Sequence, residues 1–109
     1  MDLNEYQVKT NETATYPKDG INGLLYVSLG CAGEAGEIAN KVKKILRGDH
    51  ELTPEVCLAI LNEVGDVLWY LAQIAEVLNV DLDAIAIMNL AKLKKRKEQN
   101  KIMGEGDYR

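Results

Sequence analysis

A chain of 109 residues, 47% hydrophobic and 28% charged, fits one soluble domain with a modest core that gains from self-association. Aromatic side chains make up 6% and Phe is absent, which favours packed aliphatic helices over a β-sandwich. A formal charge of −4 argues against a dedicated nucleic-acid binder, whose affinity rests on Lys and Arg neutralising phosphates; small phosphorylated ligands stay open.

The N-terminal stretch MDLNEYQVKTNETA has neither a basic start nor an apolar run, so no signal or transit peptide is expected and the chain is placed in the cytoplasm. A first, short and polar helix is predicted over 3–14, ending before the turn residues Tyr16-Pro17-Lys18-Asp19-Gly20. The second runs from Asn22 to Leu46, with Cys31, Ala35, Ile38, Val42 and Ile45 at the helical period and Gly48-Asp49-His50 as its exit. Thr53-Pro54-Glu55 opens the third as an N-cap, a proline at the first helical position and an acid in the first turn. That helix reaches Leu78, with Asn79-Val80-Asp81 as a break and Asp81 as the next cap. The fourth covers 82–98 and ends in Lys92, Lys94, Lys95, Arg96 and Lys97, where cations suit the negative end of the helix dipole. The tail NKIMGEGDYR is expected to be mobile. No strand or repeat is evident, and short links between long helices give an all-α, antiparallel bundle. The longest apolar segment, 56–75, carries Asn62, Glu63, Gly65, Asp66 and Gln73, which argues against a membrane span. Cys31 and Cys57 lie in apolar stretches and are expected as two buried free thiols in a reducing compartment.

At about 100° per residue, the apolar centre of the second helix lies along Cys31, Ala35, Ile38 and Val42, flanked by Gly30, Glu34, Glu37 and Lys41. The third helix turns Val56, Ile60, Val67, Leu71, Ile74 and Leu78 inward, flanked by Glu63, Asp66, Tyr70 and Gln73. Its second apolar set, Cys57, Leu61, Leu68 and Ala75, faces the other way and calls for a partner subunit. The fourth turns Leu82, Ile85, Ala86, Leu90 and Leu93 inward, with Asn89 among them and Lys92 and Arg96 along an edge.

Acids at i, i+3 ordinarily form a solvated face, and Glu63 with Asp66 also suits burial against lysines. Two pairs of equal spacing, each beside the core stripe of adjacent helices, point instead to a shared cation, because an unpaired carboxylate near a core costs several kcal/mol or takes up a proton. His50 lies in a loop and neither cysteine points at the acids, so the donors are oxygens, favouring Mg²⁺, with Mn²⁺ as the alternative, over Zn²⁺. The glycines 30, 33 and 36 cost about 1 kcal/mol each relative to alanine; room for a ligand or close approach of another helix would offset that.

Glu34-x-x-Glu37, then 25 residues, then Glu63-x-x-Asp66 within ExxDVLWYL, then Asn89-x-x-Lys92-Leu93-x-x-Arg96, resembles the MazG-like all-α nucleoside triphosphate pyrophosphohydrolases. YPKDG and the terminal GDYR are softer similarities, and the likeness covers residues 5–109. It implies a single domain over 1–109, a small four-helix bundle assembled as a homodimer or a homotetramer (a dimer of dimers), and hydrolysis of a nucleoside triphosphate to the monophosphate and pyrophosphate. Mg²⁺ would be held by Glu34, Glu37, Glu63 and Asp66, with Glu34 or Glu37 helping to deprotonate water. Lys41, Lys92 and Arg96 would contact phosphates, Asn89 a phosphate or the metal shell, and Tyr16, Trp69 and Tyr70 would stack on a base. One departure is Gly33, where many relatives carry a further Glu. The rival expectations are a phosphoribosyl-ATP pyrophosphohydrolase and a non-catalytic dimeric helical module whose acids pair with lysines.

Overall fold

The computed structural model describes residues 1–100 together with Gly104 and Asp107. Four α-helices follow one another: α1 (Leu3–Thr10), α2 (Asn22–Arg47), α3 (Pro54–Val77) and α4 (Leu82–Glu98), with a 3₁₀ turn at Asn11–Thr13 after α1. Among the described residues there is no strand, so the all-α expectation holds. Most of the terminal tail, including most of GDYR, lies outside the described residues.

Local chemistry sets the ends of the long helices. Thr53 caps α3 by accepting from the Val56 amide at 3.2 Å, and Pro54 follows at the first helical position. Gly48 closes α2 at φ 92°, where the Gly48 amide reaches Ile45 O and the Asp49 amide reaches Lys44 O, both at 3.0 Å. These two bonds satisfy carbonyls that a helix end otherwise leaves open. Asn79, at φ 57°, does the same for α3 through Asn79 N to Glu76 O and Val80 N to Ala75 O.

Two expected boundaries differ. The first helix stops at Thr10, not 14, because Thr10 and Thr13 turn their hydroxyls back onto the carbonyls of Gln7 and Thr10, a bonding mode that competes with helix continuation. Asp81 makes no capping bond; the Leu82 amide is bound by Gln7 Oε1 at 2.6 Å and the Asp83 amide by Asn4 Oδ1 at 3.2 Å. Thus α1 caps α4 from a distance.

α2 and α3 form an antiparallel pair: Gly23 meets Val77 and Gly30 meets Tyr70 in the same register, and the long Lys41 side chain reaches Glu63. α1 lies on the C-terminal half of α3, tied there by Asn11–Glu76 and Gln73–Thr10 hydrogen bonds. The core sits at this end: Ala14, Tyr16 and Val27 are buried against Trp69, Tyr70, Ile74 and Val77.

The inward stripes are rotated from those the sequence predicts. Ala35, Val42, Leu71, Leu78 and Leu90 are exposed, whereas Ala75, assigned to the outer face of α3, is fully buried. The face of α3 toward α2 runs through Glu63 and Tyr70, so the charged flank rather than the apolar centre lies in the seam. Leu58, Leu61, Val64, Ile87, Met88 and Leu90 stay in water, Leu61 at 57% exposure. The radius of gyration, 16.8 Å, exceeds the roughly 13 Å of a compact chain of this size, so this surface is not folded over by the chain itself. α3 is long and apolar enough by length and composition to cross a membrane, but Glu63 and Asp66 at its middle belong to the polar site on its α2 side.

Candidate metal and nucleotide site

Glu34 of α2 and Glu63 and Asp66 of α3 each bring one carboxylate oxygen into a group whose members lie within 4.8 Å of one another. The helical rise puts Glu63 and Asp66 one turn apart on one side of α3, and the antiparallel register sets Glu34 opposite both. Lys41, two turns beyond Glu34, reaches Glu63 at 3.2 Å and Glu37 at 3.9 Å. Among the described residues no lysine or arginine is paired with Glu34 or Asp66.

This crowding is visible in the titration of the acids. The Glu34 carboxyl is pushed above the usual glutamate range, first by its hydrogen bond with Glu63, then by burial and the charges of Asp66, Glu63 and Glu37. Glu63 moves the opposite way, held down by its hydrogen bonds with Glu34 and Lys41. In physical terms the neighbouring carboxylates disfavour the charged form of Glu34, and a divalent cation among them would relieve that crowding. The donors are hard oxygens; His50 and Cys57 are exposed away from the seam and Cys31 is half-buried. The residues therefore fit Mg²⁺ or Mn²⁺. The expectation of two buried thiols is corrected for Cys57, which is exposed, though both cysteines are free.

A pocket of about 290 Å³ opens beside the acids, lined by Glu34, Asp66, Trp69 and Tyr70. Trp69 is fixed by its indole N–H donating to Thr13 Oγ1 at 2.9 Å, and its ring stands edge-on to Tyr70 with centroids 5.0 Å apart. Tyr16 takes a different part from the one expected. Its ring is stacked on Tyr26 at 4.8 Å, the Lys18 ammonium lies 5.0 Å from the centroid, and its hydroxyl donates to Gln73 at 2.6 Å. With its faces so engaged, Tyr16 buttresses the aromatic wall instead of offering itself to a base.

Glu37 stays outside the three-carboxylate group, its side chain 53% exposed on the rim. Asn89, expected among apolar neighbours, is exposed on α4. Lys92 and Arg96 both bind the Asp107 carboxylate, at 3.1 and 2.9 Å, which holds Asp107 below the usual aspartate range. Among the described residues no hydrogen bond or ion pair links Asn89 or Lys92 to the three acids. Of the three glycines, only Gly30 is held by close approach, against Tyr70; Gly33 and Gly36 have open space where a side chain would sit. Sequence reasoning missed Tyr26, which backs both Tyr16 and Tyr70, and Tyr6, whose phenol is pushed up by burial and by the charge of Asp66. The spacing Tyr26, Gly30, Glu34, four residues each, was the available signal for the first.

The sequence model of the MazG nucleotide pyrophosphohydrolase domain matches residues 25–100. The chain belongs to the MazG nucleotide pyrophosphohydrolase family. The matched span contains Glu34, Glu37, Lys41, Glu63, Asp66, Trp69, Asn89, Lys92 and Arg96, and leaves Tyr16 outside. The Gene 37 protein of Mycobacterium phage L5 is 48% identical over 114 aligned positions, covering 100% of both chains. No solved structure matches.

Proposed function

We propose that this MazG domain, residues 1–109, hydrolyses a standard or modified ribo- or deoxyribonucleoside triphosphate to the monophosphate and pyrophosphate, clearing the nucleotide pool of the cytoplasm. The observation that supports it most is the group of Glu34, Glu63 and Asp66 oxygens from two helices, within 4.8 Å of one another. These three residues would hold Mg²⁺, and Glu37 joins from the rim. When bound, the ion supplies charge neutralisation for the phosphates and a more acidic water. Glu37 or Glu34 takes the proton from the attacking water. Lys41, already turned into the seam, neutralises phosphate oxygens once its hold on Glu63 is released, and Trp69 and Tyr70 provide the flat wall for a base. Asn89, Lys92 and Arg96 add phosphate contacts. Since Asn89 and Lys92 stand apart from the acids within one chain, the neighbouring copy in a homodimer, or dimer of dimers, is their proposed route to the site. The exposed leucines of α3 and α4 favour that assembly.

A second reading, a non-catalytic helical module, draws on the Lys41–Glu63 ion pair at 3.2 Å. Among the described residues it leaves Glu34 and Asp66 without a lysine or arginine partner. Pyrophosphate release measured over standard, deaminated, oxidised and methylated nucleotides and phosphoribosyl-ATP, in Mg²⁺ and in EDTA, decides between them. Glu63→Gln should lower turnover at least about 100-fold with unchanged helical circular dichroism. A fully active Gln variant removes Glu63 from the ligand set, and silence of the parent on every nucleotide favours the module.

A further inference from the structure

We propose that Gly30 and Tyr70 form the spacer that sets the α2–α3 separation at the acidic group, which makes both of them positioning residues for the cation. The inference rests on the reading of Glu34, Glu63 and Asp66 as metal ligands and adds to it what holds them in register.

Gly30 lies one turn before Glu34, and Tyr70 one turn after Asp66, so their contact lies one turn along the hairpin from the acids. A Cβ built on Gly30 would stand 2.8 Å from Tyr70 Cδ1 and closer still to Cε1 and Cζ. Ordinary carbon contacts need about 3.5–4.0 Å, so an alanine requires a shift of about 1 Å or more. The ring is packed against two aromatic neighbours. Trp69 stands edge-on to it at 5.0 Å, and Tyr26 lies at 6.4 Å. The ring borders the pocket beside the acids, and as a spacer it makes the helices part rather than turning into that space.

The acidic group does not tolerate that. Two oxygens on opposite sides of one Mg²⁺ or Mn²⁺ are separated by at most about 4.2 Å, twice the 2.1 Å bond, and the three ligand atoms already spread to within 4.8 Å. An expansion of about 1 Å across the seam draws Glu34 away from Glu63 and Asp66. Neither Gly33 nor Gly36 has any atom within 4 Å of its built Cβ. Spacing by close approach is thus particular to Gly30 among these three.

The test is Mn²⁺ binding to the full-length chain, read by electron paramagnetic resonance, with circular dichroism to confirm helicity. Gly30→Ala should bind at least about tenfold more weakly than the parent. Gly36→Ala should bind as the parent does. In Gly30→Ala/Tyr70→Ala the added methyl meets no ring, so its affinity should lie within about threefold of Tyr70→Ala alone, the non-additivity expected of touching residues. A folded Gly30→Ala with parental affinity overturns the spacer, as does a Gly36→Ala that weakens equally. If Gly30→Ala does not fold, the double variant decides: it should fold and match Tyr70→Ala, and one that stays unfolded or binds more weakly overturns the spacer. A parent that binds no Mn²⁺ sinks the ligand reading itself and the spacer with it, an outcome distinct from the others.

Discussion

Gln73 is 1% exposed in the middle of an apolar helix, and every polar atom of its side chain is used. Its Oε1 accepts from the Tyr16 hydroxyl at 2.6 Å, and its Nε2 donates to Thr10 Oγ1 at 2.8 Å and Asn11 Oδ1 at 2.9 Å. Gln73→Leu keeps most of the volume and removes all three bonds. The Tyr16 hydroxyl then lies buried without an acceptor, at about 1–3 kcal/mol, and the two lost bonds to Thr10 and Asn11 add about 1 kcal/mol. A total of about 2–4 kcal/mol is a large part of the roughly 5–15 kcal/mol that holds a domain together. It corresponds to a fall in Tm on the order of 10–20 °C. Urea unfolding at fixed chain concentration measures it, and the emission of Trp69, the sole tryptophan, follows the same corner. Tyr16→Phe orphans the other end of the strongest bond, so the double variant should show a coupling of about 1 kcal/mol or more. A loss below about 0.5 kcal/mol for Gln73→Leu, or strict additivity with Tyr16→Phe, refutes the claim that Gln73 ties the N-terminal segment to α3.

Millimolar Mg²⁺ should raise the thermal midpoint, by about 2.7 kcal/mol of stability at a hundredfold excess over Kd; identical midpoints in Mg²⁺ and EDTA contradict the acidic site. Mg²⁺ affinity should weaken as pH falls through the raised range of Glu34, because the ion must displace the proton that this carboxyl holds unusually well. The sign follows for the metal-free chain too: a carboxyl with a raised folded value favours the fold below its ordinary range and loses that contribution as pH rises through the raised one. Calorimetry in buffers of different ionisation enthalpy detects the released proton, and affinity constant from pH 5 to 8 would contradict it. Thr53→Ala, which deletes the cap on the Val56 amide, should cost about 1 kcal/mol in the same urea assay; no loss would mean that Pro54 alone starts α3.

The long helices were legible because their ends are written locally: Gly48 for α2, and Thr53 with Pro54 for α3. The end of α1 and the cap of α4 were not, since Gln7 and Asn4 act on amides more than 70 residues away. Glu34, Glu63 and Asp66 were legible as a group from their spacing. Which flank of each helix enters the seam was not, because a hydrophobic average gives no weight to a glycine or an acid at a helix contact, and Gly30 meets Tyr70 and Glu63 meets Lys41 there. For the same reason Val42 and Leu71 read as core and are exposed. Tyr16 read as a ligand contact because an aromatic in a turn suits that role; only the packed structure reveals Tyr26 and Lys18 on its ring.

The placement of Glu34 against Glu63 has a consequence for how cohesion is distributed along the hairpin. Where a purely structural pair of rods would put leucine against leucine, this one sets three acidic groups together at its midpoint, so the resting protein carries a fault line through its middle. Closing that fault by capturing a cation serves architecture and chemistry in one event. Resistance to unfolding and readiness for substrate should therefore rise and fall together in this chain.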